Sequence, residues 1–390
     1  MSLYNRNAAP VKSDAQVMGT LEGKDIYNTS FTGVPKTELK LPDDDYAGER
    51  ERAKTRNSDY GVKPMTQEEL DAERALSWVL LKKFTMSIFK MDFTRFSFPV
   101  GYSEQRSFLE RTADLFTFIA DDYAQQMVNC SVPETRLQLL ATGICAGFYI
   151  YLQSKKPWNP VLGETYYGKW PNGVEIFGEQ SSHHPPISDF QIFGPNNSWK
   201  CHARCNFTIN SGVFQVDVVQ RGTFYLEFAD GTTYEWEFPT ICVQGIIRGD
   251  RYVLVKGPLI VKDTFNDLTV QVDIAPKADR SKGIAKQRQT TLYGGILDGT
   301  GKNFISKITG DYTEKIEVDG EELWNIDTKT AHRPTAQVDE EMILPSDCRF
   351  RIDRMYLIKE NIEVADEAKI IIEEAQRREE KLRDCIPAQA

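Results

Sequence analysis

Between about residue 164 and residue 326, apolar and polar positions alternate; on either side of that stretch they recur at helical spacing. Val213 to Val219, Phe224 to Phe228 and Thr233 to Phe238 show the period of two expected of strands with one buried face. Asp230-Gly231 divides the last two as a hairpin turn, because glycine tolerates positive φ and aspartate favours turns. Tyr252–Lys256, Leu259–Lys262 and Leu268–Ile274 continue the series, with further turns at Asp298-Gly299 and Asp319-Gly320. Hairpins at short spacing, with no helix between them, predict an antiparallel meander closing into a barrel. Upstream, Thr66-Gln67-Glu68-Glu69 is a capping-box arrangement. The run that follows to Lys90 carries an apolar stripe of Leu76, Leu80, Phe84, Ile88 and Met91, which core packing alone would explain. Residues 104–130 and 134–153 read as two more helices, the second too apolar to be exposed. Val364 to Arg383 is rich in helix formers and free of Gly and Pro. Residues 1–70 are polar and broken by Pro10, Pro35, Pro42 and Pro64, so they are expected to be mostly extended or disordered. The Lys- and Arg-rich segment Pro276–Gln289 is expected to form an exposed loop.

Length and charge narrow this picture. A chain of 390 residues could hold two domains or one large barrel with added helices. Its 47 basic and 57 acidic side chains give a net charge of −10, which opposes nonspecific nucleic-acid binding. Any phosphate site must be a local inversion of sign, and docking on an anionic bilayer would need a basic patch. Seven cysteines in no disulfide pattern point to a reducing cytosol. The start has no apolar signal core, and no run of about 20 apolar residues exists to span a bilayer, so a cytoplasmic protein reaching membranes only peripherally is expected.

The candidate chemistry lies in two places. Phe177 to Phe190 sets His183 and His184 side by side before Pro185 and Pro186, on backbone that the prolines stiffen. A protonated imidazole donates from both nitrogens and can hold a phosphate. Neighbours on a regular strand face opposite ways, so the pair can converge only if the chain ends a strand or turns at Ser182–Pro185. Lys369, Glu373 and Arg377 stand at i, i+4 and i+8 along one helix face; a solvated charge ladder is the plain reading of that spacing. Metal binding fits poorly, since neither His183-His184 nor Cys201-His202 with Cys205 has a second set of spaced ligands. Ser181 or Ser182 beside His183 imitates a nucleophile and base, but triad members meet in space and rarely in sequence. His202 and His332 read as structural or surface histidines.

Glu179-Gln180-Ser181-Ser182-His183-His184-Pro185-Pro186-Ile187-Ser188 closely resembles the fingerprint of the oxysterol-binding-protein-related family of lipid-transfer proteins. Lys156-Pro157-Trp158-Asn159-Pro160-Val161-Leu162-Gly163-Glu164-Thr165 is similar to a second segment of that family, and Leu344-Pro345-Ser346-Asp347 through Arg377 to its carboxy-terminal region. Trp78 to Pro99, with Phe108-Leu109-Glu110-Arg111, looks like the lid and first helix; Glu235-Trp236 to Ile247 looks like mid-barrel strands. Ser181 and Asp189 depart from the family's usual residues, as does Gly310-Asp311-Tyr312. The resemblance implies an α+β fold: a large antiparallel β-barrel enclosing a lipid tunnel, with a lid, helices in 71–153, strands in 154–330 and C-terminal helices in 331–390. It assigns Lys156, Asn159, His183, His184, Lys369, Glu373 and Arg377 to the headgroup of phosphatidylinositol 4-phosphate. It further implies exchange for a second lipid, sterol or phosphatidylserine, between membranes, with no cofactor, no metal and no bond broken. A phosphoinositide-responsive sensor or scaffold that binds without net transfer is the alternative.

Overall fold

In the computed structural model, residues 46–58, 61–62, 66–68, 70–72, 74–75, 99–151, 155–211, 215–245, 252–276, 288–336 and 342–384 are described. The apolar stripe from Leu76 to Met91 and most of the basic segment 276–289 lie outside them. At the N-terminal end stand α1 (Ala47–Arg56) and the short hairpin of β1 (Asn57–Ser58) and β2 (Gly61–Val62). The expectation of an extended segment is therefore corrected over 46–56, because buried partners described below hold this helix in place.

A 3-10 turn at Val100–Tyr102 leads into β3 (Ser103–Ser107) and α2 (Phe108–Leu115). The helix predicted from residue 104 thus begins four residues later. Ser107 caps it, and Glu110 returns a 2.8 Å bond from the Ser107 N–H, satisfying groups that a helix start leaves open. A π-helical turn at Ile119–Tyr123, α3 (Ala124–Val128), α4 (Pro133–Ala146) and α5 (Phe148–Tyr151) follow. Pro133 opens α4 at a position where its missing N–H costs nothing.

The strands are β4 (Lys156–Trp158), β5 (Thr165–Lys169), β6 (Glu175–Ser182), β7 (Ile187–Phe193), β8 (Trp199–Ser211), β9 (Gln215–Arg221) and β10 (Phe224–Phe228). They continue with β11 (Thr233–Trp236), β12 (Thr240–Gln244), β13 (Tyr252–Asp263), β14 (Leu268–Ile274), β15 (Thr291–Leu297), β16 (Phe304–Asp311), β17 (Lys315–Val318) and β18 (Glu321–Asn325). From β5 to β18 every pairing is antiparallel, in the order 5-6-7-8-10-11-13-14-15-16-17-18. The long strands β8 and β13 also hold β9 and β12 between their other halves. Two strands predicted at 252–256 and 259–262 are one, β13, which changes partner from β12 to β11 along its length.

The predicted turns are present. Phe228 N–H bonds the Thr232 carbonyl across Asp230-Gly231, with Gly231 at φ +92°. Asp319-Gly320 joins β17 to β18 in a two-residue turn with both residues at positive φ, the geometry such hairpins favour.

One core joins the inner residues of this sheet to α2–α5. Phe116, Phe118, Tyr123, Leu140 and Ile144 belong to the same buried cluster as Phe224, Trp236, Val255, Val270, Ile308 and Trp324. Helix α4 packs across β13, β14, β15, β17 and β18, against the buried face of the sheet. Beyond the sheet, α6 (Ile352–Ile358) and α7 (Ile362–Asp384) form the C-terminal helices. A second, small core of Val100, Trp158, Tyr356 and Ala365 fastens them to β4.

Candidate functional site

Strand β4 pairs in parallel with β3, and Trp158 at its end is buried in the small core. Lys156 and Asn159 flank this anchor, and Lys156 Nζ donates to Asn159 Oδ1 at 2.7 Å. Arg351 holds the turn from beneath. Its Nη1 donates to the Asn159 carbonyl at 2.6 Å and to Glu164 Oε2 at 2.9 Å. Its remaining edge grips Asp353 at 3.1 and 2.7 Å, and its guanidinium lies over the Trp158 ring. Glu164 also accepts from Ser107 Oγ and the Val161 N–H, so both of its carboxylate oxygens are bonded.

The same small core aims α7. Ala365 and Ala368 are fully buried, and the Val100 N–H donates to Asp366 Oδ1 at 2.8 Å. Steps of four from Ala365 reach Lys369, Glu373 and Arg377, so the face that docks the helix continues as the charged face. Lys369 Nζ donates to Glu373 Oε1 at 2.7 Å and Arg377 Nη2 to Oε2 at 3.3 Å. Side-chain exposure climbs from 13% at Lys369 through 26% to 46% at Arg377. The ladder read from spacing exists, but it starts inside protein and ends at a rim.

His183 and His184 occupy the connection between β6 and β7. Gln180 pairs with Ser188 and Ser182 with Ile187, leaving Ser181 as the extra residue of a bulge. That bulge, followed by the turn, breaks the strict alternation and brings both rings to one place, with centroids 4.7 Å apart. The break predicted at Ser182–Pro185 is where the chain turns. Gln180, fully buried, donates to the Ser182 carbonyl and accepts from Ser188 Oγ, both at 2.6 Å. Ser181 Oγ donates to Asp189, so two positions that depart from the family pattern are bonded to each other. This hydroxyl is thus turned to a carboxylate and not to an imidazole.

The three pieces meet. Lys156 loses charge preference through desolvation first, then through Lys369 and Arg351, while Glu373 opposes them; its pKa is drawn down to about 8. Burial and then His184 lower the pKa of His183, against the pull of Glu380, Glu373 and the Pro160 carbonyl. His183 Nδ1 is buried with no hydrogen-bond partner. Glu373 therefore faces residues from β4, α7 and the β6–β7 turn together, and all seven predicted residues belong to one locale. Lys156, Lys369 and Arg377 gather there around Glu373, in a chain whose overall charge is negative. Glu373 is their internal counter-ion.

Sequence reading missed the supports: Arg351, Glu164, Trp158 and Gln180. A signal was present in the alternation Arg349-Phe350-Arg351 followed by Asp353-Arg354, too many charges in too apolar a stretch for a surface loop. A narrow apolar cleft with about 20 Å³ of free space lies between the helices and the sheet. Leu115, Phe148, Phe207, Phe224, Phe238 and Ile241 line it.

The family model for oxysterol-binding protein matches residues 80–389. Oxysterol-binding protein 9 of Dictyostelium discoideum is 29% identical over 351 residues, spanning 85% of this chain and 81% of that one. Oxysterol-binding protein 10 of the same organism is 26% identical over 326 residues, 79% of each chain. Among solved structures, the Osh3 ORD in complex with PI(4)P from Saccharomyces cerevisiae superposes with a TM-score of 0.63 at 18% identity, covering 77% of this chain and 85% of that one. The Osh1 ORD domain in complex with ergosterol gives 0.63 at 20% identity, covering 97% and 90%. At such identities the likeness establishes the fold. With the family match extending over most of its length, this chain belongs to the oxysterol-binding protein family.

Proposed function

We propose that this protein carries lipids between membranes, taking phosphatidylinositol 4-phosphate at the cationic locale and exchanging it for a second lipid, sterol or phosphatidylserine. The observation that carries the reading is the meeting of Lys156, Asn159, His183, His184, Lys369, Glu373 and Arg377 from three separate elements. A phosphomonoester brings about −1.5 to −2 charge and three strong acceptor oxygens. Lys156, Lys369 and Arg377 supply charge, the imidazoles supply donors, and Glu373 accepts from ring hydroxyls. The apolar lining between helices and sheet would take the hydrocarbon tail only as its side chains part, each buried CH₂ contributing about 0.8 kcal/mol. The solved Osh3 and Osh1 complexes, with PI(4)P and with sterols, support the same pairing of ligands. The protein works from the cytosol at membrane surfaces and changes no covalent bond. Among the described residues, no helix is long and apolar enough to cross a bilayer.

The test is transfer between donor and acceptor liposomes carrying labelled phosphatidylinositol 4-phosphate. A carrier moves label to acceptors, faster when acceptors hold the counter-lipid. Binding to donors without delivery would instead make the protein a sensor.

A further inference from the structure

A second charge cluster forms at β3 and α2 and is assembled from three parts of the chain. Arg106, Arg111 and Arg333 are all buried around Asp114. Arg106 Nη2 donates to Asp114 Oδ1 at 3.0 Å, and Arg111 and Arg333 donate to Oδ2 at 2.7 and 3.2 Å. Glu104 lies 3.1 Å from Arg111. A third carboxylate comes from outside the region that the family model matches. Glu49 of α1 pairs with Arg333 and stands 3.9 Å from Arg111. Burial favours its neutral form, but Arg333 and Arg111 outweigh that and hold the carboxyl below its ordinary pKa. Taking Glu49 away removes one negative charge from a buried group of three guanidiniums, a costly change.

Tyr46 enters the same site. Its ring is fully buried under the Arg333 guanidinium, 4.0 Å from centroid to carbon, and its hydroxyl donates to Asp114 Oδ1 at 2.9 Å. The rest of α1 offers little else to bury: its sequence is AGERERAKTR, and Ala53 is the one apolar side chain below its first turn. Ten residues are also too few for a helix to persist alone in water. The two side chains that anchor this segment in the arginine cluster are a tyrosine and a glutamate three residues apart, while Lys54 adds an exposed ion pair to Asp327.

We propose that Tyr46-x-x-Glu49 is a peptide ligand of the domain carried in cis, seated in an acceptor pocket of Arg106, Arg111, Asp114 and Arg333, and that it docks and releases as a unit without unfolding the sheet. Once vacated, the pocket accepts an acidic aromatic peptide of the same pattern supplied in trans.

The test uses the full-length chain. In Glu49→Gln, native-state hydrogen exchange over 47–56 should quicken by roughly tenfold or more while β10–β14 keep their protection, the behaviour of a locally opening unit. Tyr46→Phe, which keeps the ring and loses the bond to Asp114, should quicken the same segment less. A synthetic peptide of residues 46–56 should bind the Glu49→Gln chain and not the wild-type chain, whose pocket is filled. The same peptide with Gln at position 49 should bind about tenfold more weakly, having lost its charge-assisted bonds. Exchange that rises equally in β10–β14 would overturn the proposal, because the segment would then be inseparable from the core. So would unchanged exchange over 47–56, or a peptide that binds neither chain.

Discussion

At the scale of single residues, the candidate site buries and crowds like charges, burial being the larger influence on Lys156. Lys156 shares its surroundings with Lys369 and Arg351, and its pKa of about 8 lies well below that of a free lysine. As pH rises through 8 the free protein therefore loses a positive charge from the site, while a phosphomonoester with a second pKa near 6 is already dianionic. Affinity for short-chain phosphatidylinositol 4-phosphate should fall between pH 7 and pH 9 in the wild type, and Lys156→Met should flatten that slope; titrations at a series of pH values check this. Arg377 stands at the rim with a planar fork that lysine lacks, so Arg377→Lys should weaken lipid extraction, and equal extraction would return that residue to the role of a surface ladder. Arg351 touches no headgroup in this account, yet it neutralises Glu164 and Asp353 in the interior. Arg351→Met should cost about 3–5 kcal/mol of stability, read by thermal unfolding, because it leaves two buried carboxylates without their common cation.

At the scale of elements, what the sequence shows and what it hides divide along local and long-range forces. The strands from 224 to 274 and their Asp-Gly turns were legible because alternation and turn chemistry are local properties. The break at Ser182–Pro185 was legible because two adjacent histidines cannot share one strand face. The order in which β8 and β13 exchange partners was not, since nothing local marks where a long strand changes neighbours. Nor was the start of α2, where a capping serine overruled a helical pattern that extended upstream. Residues 46–56 look disordered by composition, and partners distant in the chain, among them Arg111, Asp114 and Arg333, make them otherwise. The direction of α7 depends on Ala365 against Trp158 and Tyr356, so enlarging that alanine should swing the charged face away. Ala365→Leu should cost about 1–3 kcal/mol by overpacking and weaken headgroup binding while Lys369, Glu373 and Arg377 stay intact. Unaltered binding in that variant would show that α7 is positioned by something else.

At the scale of the whole molecule, a chain of net charge −10 concentrates cations where three elements cross and places an apolar cleft between its sheet and its inner helices. The family match spans the strands, the β6–β7 turn and α7 together, so the separation of Lys156 from Arg377 in sequence is a consequence of topology and not of two domains. In the proposed function, the charged residues select the headgroup and apolar area inside the sheet retains the tail. The most direct test compares extraction of phosphatidylinositol 4-phosphate with that of phosphatidylinositol from liposomes, using wild type and a variant with His183→Ala and His184→Ala. The wild type should prefer the phosphorylated lipid strongly, and the double variant should lose that preference with its thermal unfolding unchanged. A double variant that folds normally and still discriminates between the two lipids would contradict the assignment of the paired imidazoles to the phosphate.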